Sequence, residues 1–306
     1  MKTKFFIATG VLTFLATGAL SAGPADRPVV VATFSVIGDM VANVGGDRIA
    51  LTTIVGPGGD CELYKPTLAD GRAVAAARIV FMNDLNDEFE PWIEPLLKQA
   101  GFRGTKVVVS RGAHTITAEE ERPIGGRNVV AIDQHAWLDP KNGVVYVKNI
   151  ADALVRMDPA NAADYRTRAA AYIGELQAVD AWARSEISAV APVKRRVILS
   201  HDSLQYLARA FGITLISIYG WTNRADPSAT EVSQLTRQIQ QEHLRALFLD
   251  SITDPRLTER VANETGAVIG GTLYGDALSP PGPDADTYLK MIRHDIATLK
   301  AGMLKN

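Results

Sequence analysis

Residues 129–143, Val-Val-Ala-Ile-Asp-Gln-His-Ala-Trp-Leu-Asp-Pro-Lys-Asn-Gly, decide how the rest of the chain is read. Four apolar residues, three of them β-branched, predict a short strand that runs straight into a polar turn carrying His135, and Pro140 then marks the first turn of a helix. Open α/β proteins place their ligand groups at the carboxyl ends of strands, just before a helix. A single histidine at a strand end is ordinarily satisfied by a neighbouring backbone group. The weight of His135 therefore depends on what occupies equivalent places elsewhere.

On the amino-terminal side the same strand-then-helix rhythm recurs. Strands are expected over Val29 to Thr33, Ile49 to Val55, Ile79 to Met82 and Lys106 to Ser110, with helices over Val36 to Val44, from Thr67 onward, and Phe89 to Gln99. The segment from Gly56 to Pro66 is dense in turn residues and polar groups, and reads as a loop. Residues 111–127 read as a second loop, whose acidic run at Glu119 to Glu121 fits solvated surface. Such alternation predicts an α/β fold with a mostly parallel sheet and helices on both faces.

On the carboxyl side, Lys141 to Arg156 reads as a helix that ends at Met157-Asp158-Pro159. Ala160 to Ala189 then runs about 30 residues without a proline, a helix of roughly 45 Å that outspans one lobe. It is a stiff connector, unlike a Gly/Ser linker. Beyond Pro192, strands are expected over Arg196 to Leu199, Thr214 to Ile218, Ala246 to Leu249 and Ala267 to Leu273. Helices alternate with them over Leu204 to Phe211, Ser228 to Gln241, Pro255 to Thr265 and Asp284 to Met303. The expected architecture is α/β, with two (β/α) lobes of mostly parallel sheet joined by one long rigid helix. Its boundaries are an amino-terminal lobe over 23–158, the linking helix over 159–191 and a carboxyl-terminal lobe over 192–306.

Lys2 and Lys4, an apolar run from Phe5 to Leu20, and the small residues Ser21 and Ala22 have the layout of a secretory signal peptide over residues 1–22, cleaved after Ala22. The apolar run is short for a membrane span and is interrupted by Thr and Gly. No cysteine lies near the cleavage point, so a lipid anchor is not expected. Cleavage removes two of the 32 Lys+Arg and no acid, leaving 30 against 34 Asp+Glu. A mildly acidic surface argues against a nucleic-acid partner. With Cys61 the only cysteine among 306 residues, there is no intrachain disulfide, and in an oxidising compartment the apolar cores must hold the fold.

Four strand ends carry a group able to ligate a metal: Glu62 after the second strand, His135 after the fifth, His201 after Arg196 to Ser200, and Asp276 after Ala267 to Leu273. Parallel strands bring their carboxyl ends to one rim, so a cleft between lobes collects all four. Two imidazoles and two carboxylates make an N2O2 set suited to a divalent first-row cation. Each residue also has an ordinary structural explanation. Glu62 fits an exposed loop, His201 a helix cap, and Asp276 a brace for the turn before Pro280-Pro281. His243 and His294 fall in expected helices at the surface, and Asp250 fits a support for the turn that follows it. Asn83, Tyr64, Trp137 and Tyr219-Gly220-Trp221 are expected to line the cleft and exclude water.

Asp-Gln-His-Ala-Trp-Leu-Asp-Pro at 133–140, Ser-His-Asp-Ser-Leu-Gln-Tyr-Leu at 200–207 and Gly-Thr-Leu-Tyr-Gly-Asp-Ala-Leu-Ser at 271–279 resemble the ligand-bearing motifs of one family. These are the metal-binding periplasmic solute-binding proteins of manganese, zinc and iron ABC importers, and the resemblance runs in order over residues 28–303. It implies two lobes, a rigid linking helix, one metal held between the lobes by His135, His201 and Asp276, and delivery to an ABC permease membrane subunit. The chain departs from the pattern in the first ligand loop. The family usually has Asp-x-His-x-Tyr-x-Pro, whereas this chain has Asp60-Cys61-Glu62-Leu63-Tyr64-Lys65-Pro66. Glu62 stands where a histidine is expected, and Cys61 is the alternative ligand, although in an extended loop its side chain points away from that of its neighbour. Zinc-type members often carry a long His-rich acidic loop; the matching residues 111–127 hold only His114.

The expected function is capture of Mn2+ or Fe2+, with Zn2+ as a third candidate, by a monomeric periplasmic receptor that performs no catalysis. The alternatives are a secreted metallohydrolase with Glu62 as general base over a three-ligand metal, and a binding protein for a metal chelate or another small solute.

Overall fold

The computed structural model describes residues 27–85, 89–120, 129–218, 228–282 and 284–306. The expected leader and the Tyr219-Gly220-Trp221 segment lie outside them. The chain begins with β1 (Val29–Phe34), whose last five residues are buried, and turns directly into α1 (Ser35–Gly45). Val36, Ile37, Met40, Val41 and Val44 of α1 are all buried, at a spacing that turns one face inward. After β2 (Ala50–Val55) come α2 (Leu68–Ala76), β3 (Ile79–Met82), α3 (Ile93–Gln99) and β4 (Thr105–Val108). These four strands form one parallel sheet in the order β2-β1-β3-β4, with Val30 opposite both Leu51 and Ile79.

The strand carrying the opening stretch departs from expectation. The supposed loop contains β5 (Thr117–Glu120), which pairs antiparallel with β6 (Val129–Ile132), Thr117 opposite Ile132 and Glu120 opposite Val129. The two form their own ribbon and do not extend the parallel sheet. The connection between them, residues 121–128, is shorter than the crossover of a dozen or more residues that parallel neighbours require.

Next, α4 (Pro140–Met157) packs on α5 (Ala162–Ser188), a helix of 27 residues and about 40 Å. Its buried stripe of Tyr165, Ala169, Tyr172, Leu176, Val179, Ala183 and Ile187 repeats at intervals of three and four residues. The amino-terminal half of α5 is tied to the first lobe by Arg48–Asp164 at 2.8 Å and by Tyr172 O–H donating to Asp39 at 3.0 Å. Its carboxyl half is tied to the second by Arg184, which donates to the Ala210 carbonyl at 2.8 Å, and by Lys300–Glu186 at 2.7 Å.

The second lobe contains β7 (Arg196–Leu199), α6 (Gln205–Phe211), β8 (Thr214–Ser217), α7 (Ala229–Gln241), β9 (Ala246–Asp250), α8 (Pro255–Thr265), β10 (Val268–Leu273) and α9 (Tyr288–Met303). Its strands form a second parallel sheet in the order β10-β9-β7-β8. Two helices start later than the apolar pattern predicts. Phe89 precedes α3 as a buried side chain, and α9 begins after Thr287, whose hydroxyl accepts from Lys290 N at 3.3 Å. One large apolar core runs through the first lobe, α5 and the near side of the second, and a smaller one lies under α7 and α8. Among the described residues, no helix is long and apolar enough to cross a membrane.

Candidate metal centre

Glu62 is delivered by the loop between β2 and α2. Gly58 has φ +70°, a conformation that favours glycine, and its N–H reaches across to the Leu278 carbonyl at 2.8 Å. The Asp60 carboxylate then accepts the N–H groups of Glu62 and Leu63 at 2.8 and 3.0 Å, closing an Asx-type turn. Cys61 is 1% exposed within the large core, and its carbonyl accepts from Trp92 Nε1 at 2.8 Å. Burial, reinforced by nearby Glu90 and Asp276, pushes its thiol well above the usual value, so the thiolate that a metal needs is disfavoured. Glu62 is 3% exposed and sits with the histidines. The alternative of an exposed, solvated loop position does not hold, because the carboxylate is buried.

His135 follows β6 and precedes a short 3-10 turn, Ala136–Leu138. The Asp133 Oδ1 atom lies 2.9 Å from His135 N and 2.7 Å from His135 Nδ1. This fixes Nδ1 as the protonated nitrogen and leaves Nε2 for a cation. Trp137 packs 5.5 Å from the His135 ring and rests on Phe34 and Phe89 at 4.9 and 5.0 Å. Asp139 accepts from Lys141 N at 2.9 Å and caps α4, with Pro140 in its first turn.

His201 follows β7. The preceding Ser200 is held by β9, its hydroxyl accepting from Asp250 N at 2.7 Å. Asp276 follows β10 in a segment that crosses to the first lobe. The Gly275 carbonyl accepts from Trp137 Nε1 at 2.9 Å, and Leu278 N donates to Ser35 Oγ at 3.0 Å. A Cβ on Gly275 would lie 2.2 Å from Ser203 Oγ, so no larger residue fits there. Asp250, a suspected support, accepts from Ile252 N at 2.9 Å and Ser203 Oγ at 3.1 Å. His294 is half-buried, with Nε2 3.0 Å from the Thr272 carbonyl, and His243 lies past the end of α7 at φ +54°. His294 thus lies in a helix as expected but is half-buried, and His243 is exposed as expected but lies past its helix.

The four residues singled out in the sequence therefore lie together. Among the described residues, Glu62, His135 and His201 each offer a ligand atom, and these atoms lie within 4.8 Å of one another. Asp276 joins them, with Oδ1 3.1 Å from His135 Nε2 and Oδ2 3.3 Å from His201 Nε2. Donors around a tetrahedral cation with bonds of about 2.1 Å stand roughly 3.4 Å apart, so these separations suit a first-row divalent ion. Burial opposes charge on the imidazoles, yet the Asp276 and Asp133 carboxylates outweigh it and hold His135 well above its usual value. His201 is likewise raised to about 9 despite burial, chiefly by Asp276, and the two imidazoles hold the Asp276 carboxyl below the usual carboxylate range.

Two neighbours escape sequence reasoning. Gln134 Nε2 donates to Glu62 Oε1 at 2.6 Å, and Tyr206 O–H donates to the Asp133 carbonyl at 2.6 Å. Their role depends on contacts 72 and 73 residues away, which spacing does not reveal. Trp137 packs on the His135 ring as expected, and Asn83 contacts the residue beside it, its Nδ2 donating to the Gln134 carbonyl at 2.8 Å.

The family model described as zinc-uptake complex component A, periplasmic, matches residues 30–302. The chain is 29% identical over 274 residues to the manganese-binding lipoprotein MntA of Halalkalibacterium halodurans, covering 90% of this chain and 88% of that protein. It is 29% identical over 304 residues to the iron ABC transporter substrate-binding lipoprotein MtsA of Streptococcus pyogenes, covering 98% and 96%. Among solved structures, the periplasmic zinc binding protein TroA of Treponema pallidum superposes with a TM-score of 0.81 at 26% identity, covering 90% of this chain and 99% of that one.

Proposed function

The chain belongs to the zinc-uptake complex component A family of periplasmic proteins, and from that premise we propose that it is the receptor of an ABC importer for a divalent transition metal. Glu62, His135, His201 and Asp276 hold the ion in the cleft between lobes, and the loaded receptor presents it to a membrane permease. Mn2+ and Fe2+ are favoured by the pair of carboxylates, with Zn2+ also accommodated. The lobes divide at 23–158 and 192–306 around a linker at 159–191, a division supported by one parallel sheet on either side of α5. The receptor is exported by its leader and works as a monomer.

One observation carries this reading: donor atoms from Glu62, His135 and His201 converge within 4.8 Å, with Asp276 bridging both imidazoles. All four side chains are buried, which favours a bare ion over a chelate. A metallohydrolase fits less well. Its general base must face a water beside an open metal position, whereas Glu62 already engages Gln134 and supplies a fourth donor.

Metal analysis of the purified protein, with titrations of Mn2+, Fe2+ and Zn2+, tests the proposal. One metal per chain is expected. Failure to bind any of the three would sink it, and ester or phosphoester hydrolysis lost on metal removal would favour the enzyme.

A further inference from the structure

Tyr206 crosses between the lobes. It lies in α6 of the second lobe, is 3% exposed, and meets the first lobe twice through its hydroxyl, which donates to the Asp133 carbonyl at 2.6 Å and accepts from Ile116 N–H at 3.0 Å. Asp133 N–H donates in turn to the Ile116 carbonyl at 2.9 Å, so one hydroxyl closes the end of the β5–β6 ribbon. A phenol O–H can give one hydrogen bond and take one, which matches this pair of backbone groups. Asp133 is also the residue that orients His135.

Tyr206 and His201 belong to one braced segment. Ser203 Oγ donates to Asp250 at 3.1 Å, Asp202 Oδ1 accepts from Gln205 Nε2 at 2.7 Å, and the Leu204 carbonyl accepts from Ala208 N–H at 2.8 Å. Leu204 and Leu207 anchor the segment in the large core. Moving as one piece, it cannot draw His201 away from Glu62, His135 and Asp276 without also drawing the Tyr206 hydroxyl off Asp133 and Ile116. We propose that Tyr206 is a positioning residue that latches the His201-bearing segment to the first lobe and so slows release of the bound metal. The proposal rests on the reading of His201 as a ligand given above. With its hydroxyl committed to backbone groups, Tyr206 acts through the placement of His201.

Tyr206→Phe keeps the ring and removes only the hydroxyl. Stopped-flow transfer of Mn2+ from the loaded protein to excess chelator should run about tenfold faster in this variant, the scale of one or two ordinary hydrogen bonds, with one Mn2+ per chain still bound. In the His201→Ala background no donor on that segment remains to be withdrawn, and the same substitution should leave the dissociation rate unchanged. A general loosening of the fold, or of His135 through Asp133, would instead speed release in both backgrounds. A second measurement needs no variant. The Ile116 amide should exchange with deuterium more slowly when Mn2+ is bound, by a larger factor than the amides of β1, because a ligated His201 keeps the hydroxyl in place. Unchanged dissociation in Tyr206→Phe, equal acceleration in both backgrounds, or exchange at Ile116 indifferent to metal would overturn the latch while leaving metal capture intact; absence of Mn2+, Fe2+ and Zn2+ binding by the unaltered protein would overturn both. If His201→Ala holds no metal, the exchange comparison decides.

Discussion

Asp133 holds both ends of His135, its Oδ1 atom receiving the backbone N–H at 2.9 Å and the ring Nδ1–H at 2.7 Å. One carboxylate oxygen thereby sets the tautomer and the direction of the imidazole. Replacing it by Ala should reduce metal affinity by about 10–100-fold, in line with other carboxylate–histidine–metal arrangements. Asp133→Asn should lie in between, because the amide can retain the backbone contact while losing charge. Titration of each variant with Mn2+ checks this, and equal affinities in all three would refute the role.

Glu62 should govern which metal is held. Glu62→Ala removes one of four donors and should weaken every metal. Glu62→His exchanges oxygen for nitrogen and should move selectivity towards zinc. If neither substitution alters affinity in competition titrations, Glu62 is not a ligand.

The pH dependence has a definite sign. His201 is raised to about 9 when metal-free, so it is protonated at neutral pH, and His135 is raised in the same direction. Metal binding needs neutral imidazoles and must expel those protons. Calorimetry in buffers of differing ionisation enthalpy should therefore detect proton release on metal binding near pH 7. The same shift affects folding. A histidine whose folded pKa lies above its unfolded value contributes stability fully present below about pH 6.5 and lost as pH rises through about 9. That contribution amounts to at most roughly 3 kcal/mol for His201. Glu90, raised by burial to about 7, has the same sign over lower pH, whereas Asp276, depressed by its imidazoles, loses its contribution only in acid. The melting temperature of metal-free protein should fall between pH 6.5 and 9, and saturating metal should flatten the decline.

Trp137 combines packing with a tie between lobes. It is fully buried, and beyond its own bond to the Gly275 carbonyl, its carbonyl accepts from Tyr288 O–H. Trp137→Ala should cost about 3–5 kcal/mol in denaturant unfolding. Trp137→Phe keeps most of the ring and should cost about 1 kcal/mol beyond any packing loss, the net worth of the hydrogen bond. Identical midpoints for the two variants would contradict this partition.

Cys61 should behave as a core residue. Its thiol should react with a disulfide reagent only when the chain unfolds, at a rate indifferent to bound metal, and Cys61→Ala should leave metal affinity unchanged. Protection of the thiol by metal in partly unfolded protein would point the other way.

The sequence exposes those parts of the molecule that depend on local pattern. The β-branched run of β1, the three- and four-residue spacing along α5 and the turn residues around Gly58 each declare their element without help from afar. His135, His201 and Asp276 are legible for the same reason, since each directly follows a strand. Partnership is what stays hidden. That β6 pairs with β5 rather than widening the parallel sheet depends on the short connection between them and on register that composition does not encode. Likewise Gln134 acquires its role only by meeting Glu62, and His294 by meeting the Thr272 carbonyl. Polar residues in a loop carry no mark of which ones will be buried.

The segment after β10 has a mechanical consequence. Its strand belongs to the second sheet, yet Gly275, Leu278 and Tyr288 are hydrogen-bonded to Trp137, Ser35, Gly58 and Asp39, all on the first-sheet side. A motion that parts the sheets must therefore either break this seam or leave Asp276 behind with Glu62 and His135. If the seam holds, such a motion withdraws a single imidazole, His201, and unloading becomes the loss of one donor from an otherwise standing cup.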